Sequence, residues 1–525
     1  MKSGRIDPRL VDHFSAVKAS SSDVQATHGV AASIHAEASQ ELLKELPAVG
    51  PITYLPQIEV LLAEVDLTGF QHLVEHHDVH AISDAELTFD VPAPLAVEQQ
   101  SSYTTREIVR ADASAFSDHE GKGVTVAVMD TGVHSGHEDF TGRVIDQVSC
   151  VEGSYQVGDV HGHGTHVAGS IGGAKLGVAG ESSILDLRVF GPYGGASTSS
   201  ILRALDLCVQ RNVDIVNMSL GSNYASRVLD AAVDATAQAG VLTCVAAGNS
   251  GPSARTINSP ASAQQSIAVA ATLANGQVAS FSSRGPNPWY AWEKPDIASY
   301  GVNVISASHR GGTCVMSGTS MATPAVAGML ACLIERFNEE PEARFIAESV
   351  LKDAGDSLGQ SYNAVGRGYV TIPHIEAYLG SESTINVAGK RKKKNLGKNF
   401  FRESILRGGS CDEERILHQI LHRSDGAYKL RLSCRNQQER DDNGKVIYEE
   451  VMMEKWKHAR VTQKQYIHAM RKCGRCGKRG LVPIESTPIK AKKKQHPHSS
   501  VVVGCLFCGA KGLRKIPKEL ALAWT

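Results

Sequence analysis

The chain has 525 residues, more than one compact core usually organises, so at least two domains are expected. The apolar fraction of 42% is that of an ordinary globular protein, and the lack of a bilayer-length apolar run excludes a membrane protein. The eleven cysteines do not have the spacing of a disulfide-stapled domain, which favours a cytoplasmic protein. The formal net charge of −1 divides into +18 for residues 381–525 and −19 for the remainder, so the two parts are expected to have different partners.

The N-terminal part of the sequence predicts a small α+β unit. Residues 1–45 are polar and rich in alanine, and we treat them as a separate polar segment without an assigned function. Residues 58–83 have the pattern of a strand, a helix and a second strand. We therefore place a small α+β domain at 46–98, which ends in an exposed, proline-containing connection.

From 99 to 380 the sequence alternates apolar strands with amphipathic helices. A continuous apolar run is typical of a strand that is covered on both faces. The alternation predicts an α/β domain with a doubly wound parallel sheet and helices on both faces. The predicted strands are 124–129, 213–218 and 240–246, and the predicted helices between them are 201–210 and 228–239.

Three short motifs of this domain carry candidate catalytic residues. Asp130 follows the first apolar strand in Asp-Thr-Gly, His163 begins His-Gly-Thr-His-Val-Ala-Gly, and Ser320 lies in Gly-Thr-Ser-Met-Ala-Thr-Pro. A serine hydroxyl becomes a nucleophile when a base takes its proton and a carboxylate orients that base. Donors for the resulting oxyanion can come from the backbone N–H at a helix start and from the Asn249 amide.

Each motif alone is compatible with another interpretation. Asp-Thr-Gly also occurs in aspartic proteases, although the sequence has no second copy to face Asp130. His161, His163 and His166 resemble a metal cluster, but no acidic or cysteine partner lies beside them. Gly-Thr-Ser is by itself a turn before a helix. Together, in the order Asp, His, Ser, the motifs indicate the catalytic triad of a serine protease.

The sequence resembles the subtilase family from about residue 110 to 375. The three motifs match that family's signature blocks, and the stretch at 246–249, which ends in Asn249, is similar to its oxyanion-hole block. Residues 281–286 and 294–297 are similar to further family stretches. Because several independent motifs agree in order and in expected context, the resemblance is specific.

The resemblance implies a subtilisin-like fold and a role for each matching residue. Ser320 would be the nucleophile, and His163 the general base and then the general acid. Asp130 would orient His163, and Asn249 with the backbone N–H of Ser320 would form the oxyanion hole. The other two histidines of the second motif would be structural.

The same resemblance implies that an extended substrate binds as a strand between two backbone edges. Ser250 and Asn258 would lie at the base of the first pocket, and neither is charged, so we expect no strong demand for a charged residue before the cut. Arg255 would reverse this expectation if it reached the pocket. The residues assigned to substrate binding are Ser219, Leu220, Gly221, Gly194, Gly195 and Asn258.

The family comparison argues against calcium dependence. The segment between Gly169 and Gly177 is several residues shorter than in calcium-dependent relatives, whose tight calcium loop lies there. Asp139 matches one family calcium ligand, but most of the remaining site is deleted.

Residues 53–90 resemble the inhibitory propeptide of subtilases, notably at 65–70 and 77–82. That resemblance implies a unit that assists folding and then occupies the active-site cleft until it is cut away. We expect self-cleavage between about 91 and 104. The alternative is that the unit stays attached as a structural domain.

The C-terminal part begins with a basic linker at 381–400 and continues as a separate basic domain at 401–525. Two C-x-x-C pairs have the paired spacing of a zinc ribbon, in which four thiolates close a tetrahedral structural site. Redox dithiols are the alternative. The basic surroundings fit nucleic acid or an acidic protein partner, although a charge run is often a solvated face. The candidate zinc ligands are Cys473, Cys476, Cys505 and Cys508.

The sequence therefore indicates an intracellular serine endopeptidase that acts on a protein or peptide substrate, is made as a zymogen and is targeted by its zinc-binding tail. A narrower version is a regulatory protease with a single target. The competing class is a binding protein in which the protease fold serves as a platform, and the intact triad with Asn249 weighs against it.

Overall fold

The computed structural model forms two compact units, Met1–Val387 and Ala388–Thr525. The described residues are 6–19, 26–34, 39–90, 101–111, 116–340, 343–387, 415–422, 428–434, 449–453, 481–483, 498–505 and 511–517.

The first unit begins with a four-stranded antiparallel sheet in the order β2-β3-β1-β4. Alternate side chains of each strand face opposite sides, as the two-residue period of a strand requires. On one side the sheet packs against three helices, and on the other it shares a core with the following domain. The strands are β1 (His28–Ile34), β2 (Thr53–Leu55), β3 (Val60–Val65) and β4 (Val79–Asp84), and the helices are α1 (Pro8–Ala19), α2 (Ser39–Glu45) and α3 (Leu67–Glu75).

The structure differs from the sequence-based domain boundary at residue 45. Strand β1 pairs with both β3 and β4 and is therefore an inner strand of this sheet. Helix α1 packs on the same core through Leu10 and Phe14. The α+β domain thus begins near residue 6. A short strand of small residues that is buried on both faces lacks the polar alternation by which an isolated strand is recognised.

The central layer is a seven-stranded parallel sheet in the order β14-β13-β12-β11-β7-β9-β8, which confirms the predicted α/β architecture. Val126 and Val128 of β7 face the core that contains α8, whereas Ala127 and Met129 face the core that contains α6 and α7. Helices therefore cover both faces. The strands are β7 (Thr125–Asp130), β8 (Val144–Ser149), β9 (Ser183–Arg188), β11 (Ile215–Met218), β12 (Leu242–Ala246), β13 (Ile267–Thr272) and β14 (Ile297–Tyr300).

The remaining elements of the first unit surround this sheet. The helices are α4 (Thr105–Val109), α5 (His163–Gly172), α6 (Thr198–Gln210), α7 (Arg227–Gln238), α8 (Thr319–Arg336), α9 (Ala343–Asp353), α10 (Tyr362–Val365) and α11 (Ile372–Val387). Two small sheets pair β5 (Thr88–Asp90) with β10 (Gly195–Ser197), and β15 (Val304–Ala307) with β6 (Tyr103–Thr104) and β16 (Thr313–Met316). Helix α11 continues into the segment that was predicted to be a linker from residue 381.

The described residues of the second unit form two three-stranded antiparallel sheets, in the orders β17-β18-β19 and β20-β21-β22. Cys473, Cys476 and Cys508 lie outside the described residues, as does the basic run at 390–394. The strands are β17 (Arg415–His422), β18 (Tyr428–Cys434), β19 (Glu449–Met453), β20 (Leu481–Pro483), β21 (His498–Cys505) and β22 (Lys511–Pro517).

Among the helices of the described segments, none combines the length and the apolar character that crossing a bilayer demands.

Candidate active site

The end of strand β7 and the start of helix α5 meet through two glycines. A Cβ atom on Gly164 would lie 2.2 Å from the carbonyl oxygen of Gly132 and 3.1 Å from the Cβ of Asp130. Gly132 itself has a φ of +103°, which favours glycine. The side chain of Thr131 between them accepts a hydrogen bond of 2.9 Å from the Gly164 N–H. The motifs at Asp130 and His163 contain these glycines because helix α5 begins directly against the end of strand β7, where a side chain would not fit.

This close approach brings Asp130 and His163 together. His163 Nδ1 lies 2.8 Å from Asp130 Oδ1, and the two residues are only 2% and 0% exposed. Because a carboxylate accepts, Nδ1 carries the proton and Nε2 presents a lone pair. Burial opposes protonation of His163, but the charge of Asp130, the hydrogen bond to it and the charge of Asp159 outweigh burial, so the pKa of His163 is raised.

Ser320 is the second residue of α8, where a backbone N–H has no partner within the helix. Its hydroxyl donates to the Ser219 carbonyl oxygen at 3.2 Å, and the Ser219 hydroxyl donates to the Ser320 carbonyl oxygen at 2.9 Å. Within the described part of the chain, His163 Nε2 has no hydrogen-bond partner. The structure therefore forms the Asp–His hydrogen bond but not the Ser–His one, which needs a rotation of the Ser320 side chain.

Asn249 follows strand β12 and contacts the residue before Ser320. Its Oδ1 accepts hydrogen bonds of 2.9 Å from both the backbone N–H and the hydroxyl of Thr319. Because a backbone N–H can only donate, this contact fixes the orientation of the amide. The Nδ2 donor group is on the side of Gly318, where it would lie 3.4 Å from an added Cβ. Asn249 and the start of α8 thus present N–H donors close together.

Replacing Asn249 by alanine is expected to lower kcat by about 10²- to 10³-fold with little change in KM, because a donor to a developing oxyanion acts mainly in the transition state. Steady-state kinetics on a peptide substrate measures both constants. Asn275→Ala, which changes an asparagine of a distant turn, is the matched control. An equal loss in both variants would contradict an oxyanion role for Asn249.

The predicted walls of the first pocket lie side by side. Ser222 and Ser259 exchange two backbone hydrogen bonds of 2.9 and 3.0 Å, which joins the end of the 219–221 segment to Asn258. A Cβ on Gly221 would lie 3.1 Å from the Cβ of Asn258. Arg255 donates to the Pro288 carbonyl oxygen at 2.7 Å and is exposed. Its guanidinium is therefore engaged by a backbone carbonyl.

The second predicted backbone edge for substrate, at Gly194 and Gly195, is already paired with another segment of the chain. Strand β5 runs antiparallel to β10, with Asp90 opposite Gly195 and Phe89 opposite Ala196. Phe89 is 1% exposed and packs in the core shared by the two domains. Gly194, with a φ of +91°, forms the turn before this edge. An extended segment of the N-terminal domain thus uses the hydrogen bonds that the sequence assigned to substrate.

The two other histidines of the second motif have different environments. His166 is fully buried and its Nε2 donates to the Val304 carbonyl oxygen at 2.9 Å. Burial lowers the pKa of His166 to about 4, so it stays neutral. His161 is exposed on the turn that leads into α5.

Asp139 is buried and holds the loop that follows α5. Its carboxylate accepts backbone hydrogen bonds from Lys175 at 2.8 Å and from Leu176 at 3.3 Å. A Cβ on Gly173 would lie 2.2 Å from Asp139 Oδ2. Backbone N–H groups therefore donate to both oxygens of the carboxylate that the sequence matched to a calcium ligand.

Two carboxylates near the site were missed by the sequence analysis. Asp159 accepts hydrogen bonds from the hydroxyls of Thr131 and Thr165 and from backbone N–H groups that lead into α5. Burial alone would raise the pKa of Asp159, but these hydrogen bonds outweigh it and lower the pKa. The only sequence signal was an aspartate four residues before His163.

Asp186 of β9 is the second of these carboxylates. It accepts hydrogen bonds from Gln147 at 2.8 Å and from the Val133 N–H at 3.0 Å, whereas its other oxygen has no partner among the described residues. Burial raises the pKa of Asp186 to about 7 despite these hydrogen bonds. An aspartate within an apolar strand was the available signal.

Comparison with known proteins places these observations in context. The sequence profile of the subtilase family matches residues 121–368. The serine protease AprX of Bacillus subtilis is 37% identical over 321 residues, which cover 53% of this chain and 71% of that protein. A thermostable alkaline protease of Halalkalibacterium halodurans is 34% identical over 307 residues, 57% of this chain and 79% of that protein.

A solved structure shows the same fold. The epidermin leader peptide processing serine protease of Staphylococcus aureus has a TM-score of 0.55 at 18% identity, covering 66% of this chain and 99% of that one.

Proposed function

Because this chain belongs to the subtilase family of serine proteases, we propose that it is an endopeptidase that hydrolyses peptide bonds through an acyl-enzyme on Ser320. The observation that carries the proposal is the buried 2.8 Å hydrogen bond between Asp130 and His163. Helix α5, which begins with His163, packs against helix α8, whose second residue is Ser320. Asn249 beside that helix start supplies a further donor.

Acylation begins when the Ser320 hydroxyl leaves the Ser219 carbonyl and turns to His163. Nε2 takes the hydroxyl proton while Oγ forms a bond to the scissile carbonyl carbon, whose oxygen becomes an oxyanion. The backbone N–H of Ser320 and Nδ2 of Asn249 donate to that oxyanion. Asp130 stabilises the imidazolium, in keeping with the raised pKa of His163.

The tetrahedral intermediate then collapses and is followed by hydrolysis. His163 gives its proton to the leaving amine nitrogen, the C–N bond breaks, and the acyl group stays on Ser320. Water next gives a proton to His163 Nε2 as its oxygen attacks the acyl carbon. When the C–O bond to Ser320 breaks, Oγ recovers the proton, and the products are an amine and a carboxylic acid.

Latency is the second part of the proposal: the chain is a zymogen whose N-terminal domain, residues 6–90, covers the substrate edge. This is supported by the pairing of β5 with β10, since an extended substrate would need the same backbone groups. Residues 91–100, where we expect most of the cleavage segment, lie outside the described residues.

Further contacts hold this domain on helix α6 and on the loop that precedes helix α7. At the start of α6, the N–H groups of Thr198 and Ser199 donate to the carbonyl oxygens of Leu87 and Ala85 at 2.9 and 3.1 Å. Carbonyl oxygens are favourable there because the N-terminal end of a helix is electropositive and has unpaired N–H groups. The Arg9 guanidinium of α1 lies 5.4 Å from the ring centroid of Tyr224, near the first pocket.

The test compares the intact mass of purified wild type with that of Ser320→Ala. We expect only the wild type to lose an N-terminal piece ending between about residues 91 and 104. Loss of the same piece from both proteins would mean that another protease cuts the chain. If both stay full length, labelling with a serine-directed fluorophosphonate after limited proteolysis decides between a latent enzyme, which is labelled, and a binding platform, which is not.

We propose that the second unit is a basic, zinc-binding targeting domain. Supporting this, Cys505 at the end of β21 pairs in register with Leu481, and Leu481 follows Cys476 by only a few residues along the sequence. Four thiolates suit Zn²⁺ as a structural metal. Metal analysis of the full-length, carefully reduced protein and of its Cys473→Ala variant tests this. Equal zinc contents in the two proteins, or no zinc in either, would contradict the proposal.

The domain's basic character suits an acidic protein or nucleic acid as partner. Five cysteines of the first unit are free thiols, four of them buried, which supports a reducing, intracellular compartment.

A further inference from the structure

The turn between α3 and β4 gathers two histidines and an aspartate. His76, His77 and Asp78 are consecutive, and each presents one metal-binding atom within 4.8 Å of the other two. His77 is 87% exposed and Asp78 27% exposed at their side chains, so an ion can reach them from solvent. The cluster belongs to the N-terminal domain and has no part in the catalytic chemistry.

The side chains of this cluster converge although adjacent residues usually diverge. The imidazole rings of His76 and His77 stack, with centroids 5.1 Å apart and an interplanar angle of 14°. His77 Nε2 lies 2.9 Å from Asp78 Oδ2, and the Asp78 N–H donates to His76 Nδ1 at 3.4 Å. Two imidazoles and a carboxylate therefore face the same small volume.

A third histidine lies one helical turn earlier. His72 and His76 are four residues apart, a spacing that puts both on one face of a helix. Their rings are 6.0 Å apart between centroids. Nε2 of His72 is a buried atom that makes no hydrogen bond within the described residues. The histidines of α3 therefore continue along one helix face up to the cluster.

We propose that this turn is a binding site for a divalent transition metal, with His76, His77 and Asp78 as ligands. Imidazole nitrogen with one carboxylate oxygen suits Zn²⁺, whose tetrahedral sites use these donors.

The metal would join the end of α3 to the beginning of β4. Phe70 and Leu73 of α3 pack in the core of the N-terminal domain, and β4 is an edge strand of its sheet. An ion that binds this folded turn more tightly than the unfolded chain stabilises the domain by mass action. The domain also covers the substrate edge, so bound metal would slow its removal. This last consequence rests on the proposed zymogen function.

The direct test is calorimetric titration of full-length Ser320→Ala with Zn²⁺. The protein is first loaded with zinc and desalted, so that tight cysteine sites are already filled. We expect one further, weaker site. His77→Ala and Asp78→Asn should each weaken it by at least about 10-fold, because each removes a ligand. His80→Ala changes an exposed histidine of β4 in the same domain and should leave the titration unchanged.

Circular dichroism establishes whether the variants are folded. We expect His77→Ala to fold normally, because the side chain of His77 is exposed. No site beyond the preloaded zinc, or identical titrations of His77→Ala and His80→Ala, would overturn the proposal and leave an ordinary His–Asp ion pair.

The outcome for latency is separate. If Zn²⁺ binds here without slowing N-terminal processing of the wild type, the metal site stands and its regulatory consequence is wrong. If processing occurs with no such binding, only the metal site is wrong.

Discussion

Replacing Ser320 by alanine is expected to lower kcat by about 10⁶-fold, the loss known for the nucleophile of subtilisin itself rather than a value derived from this structure. The physical reason is that the hydroxyl of Ser320, at the start of α8 beside Asn249, is the proposed nucleophile that forms the acyl-enzyme. Without Oγ, the remaining donors and binding groups retain only modest catalysis of direct attack by water. Active-site titration and kcat on a peptide substrate measure the effect.

The comparison needs both enzymes in the same processed state. Since Ser320→Ala should not process itself, the N-terminal domain is removed from both proteins with an added protease. Ser135→Ala, which changes an exposed serine five positions after Asp130, is the matched control and should keep wild-type activity. Retention of more than a small fraction of activity by Ser320→Ala would mean that another residue is the nucleophile.

Replacing Asp130 by asparagine is expected to lower kcat by about 10⁴-fold, because an amide that donates to Nδ1 favours the wrong tautomer of the catalytic histidine. His163 Nδ1 is 2.8 Å from Asp130 Oδ1, so the geometry can stay while the proton moves to Nε2. A protonated Nε2 cannot accept the proton of Ser320. The variant should therefore fold normally and bind substrate with little change in KM.

The pH dependence supplies a second readout for Asp130. His163 acts as a base only when neutral, so the activity of the wild type should rise as the pH rises through its pKa. That pKa is raised because the charge of Asp130 and its hydrogen bond outweigh burial. Asp130→Asn removes that charge, so the rising limb of the profile should shift to lower pH.

Asp186→Asn is the control for this experiment. It removes another buried carboxylate from the adjacent strand β9 without touching His163. It should leave kcat near the wild-type value. A profile with an unchanged rising limb in Asp130→Asn would show that this aspartate does not set the protonation of His163.

Much of the framework could be read from short stretches of sequence. The apolar run at 124–129 became β7 (Thr125–Asp130), and the predicted helices at 201–210 and 228–239 became α6 and α7 with similar limits. Buried parallel strands and amphipathic helices have local periodic patterns, which explains this agreement. Chain order and residue type alone also nominated Asp130, His163, Ser320 and Asn249.

Other features needed contacts between distant parts of the chain. Strand β1 has no polar alternation and was recognised only by its pairing with β3 and β4. The backbone N–H groups that donate to Asp139 belong to residues 36 and 37 positions later in the chain. The sequence around Asp139 does not reveal these donors, so Asp139 was matched to a calcium ligand. The cluster at His76, His77 and Asp78 required a turn that folds neighbouring side chains to one side.

The sequence by itself determined which chemistry the chain carries, because a nucleophile, a base and a carboxylate are properties of residue type and order. Only the tertiary structure decided the state of that chemistry. The Ser320 hydroxyl donates to Ser219, and β5 occupies the β10 edge. Both results depend on which backbone groups meet in space. Any residue except proline offers the same N–H and C=O groups, so side-chain patterns do not encode which of them will pair.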